Sequence, residues 1–312
     1  MTSLIKIFSY LLGAVFLGAL VAPVAYWLFQ LLPVDHLGYF AELVASVQQM
    51  PLHRYLSRSI QVVAILLLWP TISWLRIRHL SELGLYRNRY TFPDFGVGMI
   101  AALLPLFLLQ GFLLWKGWYH PKEDLSFAML PRIVTTAIFV ALFEEFFFRG
   151  VILGLMRHFL QDWGSIVLSA CLFAGIHFLN LPHSHEVSVH WWSGFALLST
   201  IGGNLPAWPL ALGAFMTLLI VGMILAWVTI RTGALSLAIG LHASWIFGQQ
   251  FFNLLTHFTI NPPNAWLPWL GPSQIYGMVP VGLLTLVPFG ITGLLLWYYL
   301  EFVRKNVFSG KL

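Results

Sequence analysis

Residues 133–155 read IVTTAIFVALFEEFFFRGVILGL, a largely apolar run whose only charged residues are Glu144, Glu145 and Arg149. As a helix rising about 1.5 Å per residue, a run of this length covers the ~30 Å hydrocarbon core of a bilayer. The stretch therefore reads as a membrane span. An ionisable group deep in such a span costs at least about 3 kcal/mol and is by default a mark of function. The two adjacent carboxylates thus pose the questions of fold and function together.

The rest of the chain answers the first. Its 312 residues are 59% hydrophobic and 9% charged, with a mean hydropathy of +0.83, against about 25% charged residues in soluble domains. Apolar runs recur at 9–32, 59–76, 95–115, 133–156, 165–181, 208–230, 233–251 and 277–301. The expected fold is an all-α polytopic integral membrane bundle of about eight transmembrane helices. A single transmembrane domain is expected over 1–312. The first run exceeds a signal-peptide core of about 7–15 residues and is read as a retained span. A piece near 191–201 is too short to cross and reads as interfacial or re-entrant.

Basic residues orient the bundle. With the start of the chain in the cytoplasm, Lys6, Arg76, Arg78, Arg87, Arg89, Arg157, Arg231, Arg304, Lys305 and Lys311 lie inside. Only Arg54, Arg58, Lys116, Lys122 and Arg132 lie outside. The bias places both termini in the cytoplasm of a multi-pass inner-membrane protein. The net charge of +5 is then a topological signal, with the bilayer as partner and no nucleic acid. The lone Cys171 has no disulfide partner in the chain and is read as core packing.

Of eleven acidic residues, only Glu144 and Glu145 lie deep in a span. Glu145 and Arg149 are four apart, share a helix face and can pair. Glu144 is about 100° around the helix from its neighbour and meets Phe148 at i+4, so its partner must come from another helix. Two histidines also lie deep, His177 in SACLFAGIHFLN and His242 in LSLAIGLHASWIF. Glu144 stands roughly 20 Å from the Arg157 end of its helix, His177 roughly 18 Å from Ser165 and His242 roughly 15 Å from the turn at 231–233. Three helices thus bring deep ionisable groups to one level, which implies a shared polar pocket.

One carboxylate and two imidazoles suit acid/base work on water, with one histidine left to donate a hydrogen bond to a developing oxyanion. Amide hydrolysis within the membrane uses these parts. Other protease chemistries lack theirs: the chain has no HExxH, no deep aspartate pair and no GxSG loop. Two His and one Glu also match a catalytic zinc set, which stays open as an alternative; otherwise no cofactor is expected. His183, His185 and His190 read as a solvated polar loop, with metal ligation the second reading.

At these residues the sequence resembles the CAAX protease and bacteriocin-processing family, also called CPBP or Abi. Glu144-Glu145-x-x-x-Arg149 matches its EExxxR, Phe173-Ala-Gly-Ile-His177 its FxxxH, and His242 the histidine of its HxxxN or HxxxD. The resemblance spans about 133–250. It implies an eight-helix intramembrane glutamic endopeptidase in which Glu144 and His177 activate water, Glu145 and Arg149 brace the site, and His242 belongs to the oxyanion hole. Its substrate would be a membrane-associated peptide, prenylated in some relatives. Ile246 stands where the family has Asn or Asp, so the second oxyanion donor is missing; Gln249 and Asn180 are the candidates to replace it. A non-catalytic bacteriocin-immunity or binding protein is the alternative, and a proton-coupled transporter is disfavoured by the absence of internal repeats.

Overall fold

A computed structural model describes residues 2–34, 38, 41–75, 89–178, 188–200, 208–259, 269–270 and 283–304. The chain folds in two compact units, Met1–Arg78 with Phe178–Leu205, and His79–His177 with Pro206–Leu312. Apart from a two-stranded ladder, regular structure in the described residues is helical, so the all-α expectation holds.

The first unit contains α1 (Thr2–Gln30), α2 (Ala41–Gln48), α3 (Leu52–Leu75) and the short α8 (Ser193–Ser199). Helices α1 and α3 run antiparallel. Lys6 Nζ donates to Trp74 O, Tyr10 Oη to Ala64 O, and Gly18 lies against the backbone of Ile60. The seven-residue α8, from the stretch expected to be too short to cross, rests Gly194 on Ala19 O, where a Cβ would come within 2.0 Å of the oxygen.

The second unit carries the deep ionisable groups. Its helices are α4 (Thr91–Trp115), α5 (Leu130–Glu145), α6 (Leu153–Arg157), α7 (Asp162–Ile176), α9 (Trp208–Thr232), α10 (Ser236–Leu255) and α11 (Leu286–Tyr298). A π-helical segment, Phe146–Ile152, joins α5 to α6, and a second, Tyr299–Val303, follows α11. Strands β1 (Tyr119–Pro121) and β2 (Thr256–Phe258) pair antiparallel after α4 and α10. Buried Asp94, at the start of α4, accepts from Tyr299 Oη at 2.8 Å and from Arg304 Nε and Nη2 at 3.2 and 3.1 Å. That bond set ties α4 to the far end of the unit.

Large apolar side chains face outward on the long helices, among them Leu12, Leu66, Leu108, Phe139 and Leu294, as lipid contact requires. Helix contacts use small residues instead. Helices α4 and α10 run parallel, with Gly98 against Leu237 O and Gly240 against Phe95 O. A Cβ on Gly240 would lie 2.3 Å from Phe95 O, a backbone atom that no rotamer change moves. Gly240→Leu is therefore expected to destabilise by roughly 1–3 kcal/mol through overpacking, lowering the melting temperature in detergent. Gly111→Leu, where nothing lies within 4 Å, serves as the neutral control. Equal melting of the two variants would refute the close-approach account.

Five described helices are long and apolar enough to cross a membrane: Ile5–Gln30, Leu52–Trp74, Thr91–Trp115, Ala211–Thr232 and Leu283–Val303. The other three expected spans are the helices that carry the polar groups. The rod over 130–157 holds Glu144, Glu145 and Arg149; α10 holds His242, Gln249, Gln250 and Asn253; and α7 has only 15 residues. Helix α7 ends before His177, whereas a continuous span over 165–181 was expected. Cys171 is half-buried rather than fully packed in the core.

Candidate active site

Local structure around Glu144 begins with α5, whose final residues are Glu144 and Glu145, and passes directly into the π-helical segment. Such insertions in α-helices concentrate at functional sites. Glu145 is fully buried and Arg149 almost so, and Glu145 Oε1 accepts from Arg149 Nη1 at 2.9 Å. This is the i,i+4 pair expected from spacing.

The same oxygen also meets His242 Nδ1 at 2.7 Å. That contact was not foreseen. With Arg149 alongside, Glu145 is the acceptor, so His242 Nδ1 carries a proton and donates. His242 Nε2 is then directed towards Glu144, whose Oε2 lies 3.8 Å away. In the imidazolium form both ring nitrogens donate.

His177 caps the C-terminal end of α7 and bonds through Nδ1 to Phe173 O at 2.7 Å. A carbonyl only accepts, so Nδ1 is the protonated nitrogen and Nε2 of the neutral ring keeps its lone pair. A histidine in that tautomer can take a proton at Nε2.

Phe173 links these groups. Its fully buried ring lies 4.4 Å from Arg149 Cζ, 4.6 Å from the His177 ring and 5.9 Å from the His242 ring, and it meets Phe148 edge-on at 5.2 Å. A guanidinium over an aromatic face gains about 0.5–2 kcal/mol. The motif spacing exposed Phe173 in the sequence, but nothing there indicated that its ring would seat the arginine. Arg149 Nη2 also donates to Gly222 O at 3.4 Å. Gly222 also lets α9 close on α7, since a Cβ there would come within 2.9 Å of Ala170 Cβ.

A cavity of about 380 Å³ brings Glu144, His177 and His242 together, a volume within the usual range of ligand sites. Glu144 Oε2 is buried at the atom level and makes no hydrogen bond to the described residues. The cavity continues along one face of α10 past Ile246 to Gln249, Gln250 and Asn253. Ile246 thus occupies the wall where an amide was sought, and Gln249 is the polar side chain next along that face. Asn180, His183 and His185 lie outside the described residues. His190 pairs with Ser188 Oγ and stacks on Trp192 at 4.5 Å. Among the described residues no three His, Cys, Asp or Glu side chains converge as a metal-ligand set.

Residues 126–248 match the family model described as type II CAAX prenyl endopeptidase Rce1-like. This is the protease family that the motifs resemble, and the matched segment contains Glu144, Glu145, Arg149, Phe173, His177 and His242. No curated protein and no solved structure matches the chain.

Proposed function

We propose, from the match of residues 126–248 to the family model described as type II CAAX prenyl endopeptidase Rce1-like, that the chain is a glutamate-dependent endopeptidase of the cell membrane. It would cleave a membrane-associated peptide or protein, with both termini of the enzyme in the cytoplasm. The observation that carries the reading is the convergence of Glu144, His177 and His242 on one cavity.

Water enters between Glu144 and His177 Nε2 and attacks the scissile carbonyl carbon as its proton passes to Glu144. The carbonyl π electrons move onto oxygen. That oxyanion accepts a hydrogen bond from His242 Nε2–H, donated by the imidazolium that Glu145 holds through Nδ1. An oxygen about 2.8 Å from each partner fits between His242 Nε2 and Glu144 Oε2 at their 3.8 Å separation. Collapse of the intermediate breaks the C–N bond, and the proton on Glu144 passes to the leaving amine. Products are a new carboxyl terminus and a free amine. A single oxyanion donor is typically worth about 2.7–4 kcal/mol; with Ile246 in the wall, Gln249 Nε2 is the side chain available for a second.

The test uses the purified chain in proteoliposomes with CAAX-type peptides, prenylated and unprenylated. Cleavage is expected, and His177→Gln should lower kcat by about 10²-fold, as misplacing the attacking water does. Turnover equal to wild type in that variant would remove His177 from the mechanism.

A further inference from the structure

Strands β1, Tyr119-His120-Pro121, and β2, Thr256-His257-Phe258, send successive side chains to opposite faces. One face carries Tyr119 and Phe258, whose ring centroids are 5.1 Å apart, and Tyr119 packs into a cluster with Leu109, Leu113 and Phe252. The opposite face carries the register pair His120 and His257, both exposed. Thr259 N–H donates to Trp118 O and Lys122 N–H to Leu255 O, so 118/259 and 122/255 are hydrogen-bonded pairs. By the two-residue alternation of an antiparallel ladder, His120/His257 is the hydrogen-bonded pair between them, with Cα atoms about 5.5 Å apart. The rings stand 6.3 Å apart at 31°.

Neighbouring bonds set the tautomer of His120. Thr259 Oγ1 donates to Gly117 O at 3.0 Å, which uses the hydroxyl's only proton. Its 3.1 Å contact with His120 Nδ1 is therefore one in which the imidazole donates. Nδ1 carries the proton and Nε2 keeps its lone pair, the arrangement found at metal-ligating histidines, whose second N–H is held by an outer acceptor. Lys122, two residues on, is committed through Nζ to Asn253 O at 2.7 Å.

We infer that His120 and His257 form a two-histidine site for a divalent transition metal of the Zn²⁺ or Cu²⁺ class, with water completing the coordination. Imidazole nitrogen suits these ions. At metal–nitrogen distances near 2.0–2.1 Å, two imidazoles on a tetrahedral ion bring their ring centroids to roughly 5 Å. Rotation of two exposed side chains closes the difference. Strand β1 lies between α4 and the helix that carries Glu144, while β2 follows the helix that carries His242. A bound ion thus staples the two segments together beside Asn253, which lines the cavity. The site regulates the cavity's rim and takes no part in bond cleavage.

The experiment titrates the full chain, purified without a histidine tag and freed of metal, with Zn²⁺ or Cu²⁺ alone. Calorimetry and thermal melting are the readouts. Saturable binding that raises the melting temperature is expected, weakened at least tenfold in both His120→Gln and His257→Gln. Thr259→Val should weaken it by about 10-fold through loss of the outer acceptor. Metal-free melting of each variant, unchanged from wild type, shows that the exposed substitutions leave the fold intact. Absence of binding up to millimolar metal, or equal affinity in wild type and both histidine variants, overturns the inference; equal affinity would assign the metal to other histidines such as His190.

Discussion

Glu144→Gln is expected to abolish peptide cleavage, lowering kcat by about 10³–10⁴-fold, the upper part of the range for a lost general acid/base group, while the protein folds and melts as wild type does. The replacement keeps the size and shape of the side chain and removes its capacity to take a proton. Stability should not suffer, because Glu144 makes no hydrogen bond to the described residues through its buried Oε2. A neutral amide also spares the cost of holding a charge away from water. Cleavage in proteoliposomes and melting in detergent check the two halves of the expectation. Undiminished turnover would sink the proposed mechanism. Cells that kept a bacteriocin-protection phenotype with this variant would favour the binding reading, since a pocket that only sequesters needs no proton transfer.

Arg149→Met should act in the opposite way, through the fold. Its guanidinium is held by Glu145 Oε1, Gly222 O and the face of Phe173. Removing it leaves the fully buried Glu145 carboxylate facing His242 alone, and breaking a buried pair by deleting one partner costs about 3–5 kcal/mol. The variant is expected to melt far below wild type or to fail to accumulate. Glu145→Gln/Arg149→Met should recover part of that loss, because the glutamine oxygen still accepts from His242 Nδ1 and the fully buried carboxylate at position 145 is gone. Residues in contact typically couple by about 0.5–3 kcal/mol. Melting temperatures of the two single variants and the double variant, in one detergent, supply the cycle. Strict additivity would mean that the pair contributes nothing as a pair.

These variants separate two roles that sit side by side in EEFFFR. The i,i+4 spacing of Glu145 and Arg149 is a local property of a helix, and the pair was legible before any tertiary contact was known. So was the isolation of Glu144, because the same geometry sends its side chain to a different face and leaves it opposite Phe148. The connection of Glu145 to His242 was not legible. It joins residues 97 apart in sequence, and nothing in the spacing says which of two adjacent carboxylates a distant imidazole will reach. Depth along the helices brought His242 to the right level but gave no rotation about α10. That rotation comes from the packing of Gly98 and Gly240 against facing backbone, a contact that lets α4 and α10 close on one another.

Helix ends behaved in the same way. Hydropathy ran the fifth apolar stretch to residue 181, and the described helix stops at Ile176, because His177 turns its Nδ1 back onto Phe173 O. Apolar runs report which residues avoid water and are blind to a side-chain bond that ends a helix. Gln249 lies on the face foreseen for it and lines the cavity beside Ile246. Asn180, the other candidate, lies outside the described residues.

By itself, the amino-acid sequence determined that this is a helical membrane protein, that its deep ionisable groups are few, and that their motifs resemble one protease family. Each of these follows from composition, from the period of the helix or from the length of a bilayer span. Only the tertiary structure decided that Nδ1 is the donating nitrogen of His120, His177 and His242, that Glu145 serves His242 as well as Arg149, that Phe173 seats the arginine, and that His120 faces His257 across a ladder. Those are relations between segments far apart in the chain. They depend on the rotation and closeness of packed elements, which small residues at helix contacts and strand register set to within an ångström and which no local pattern encodes.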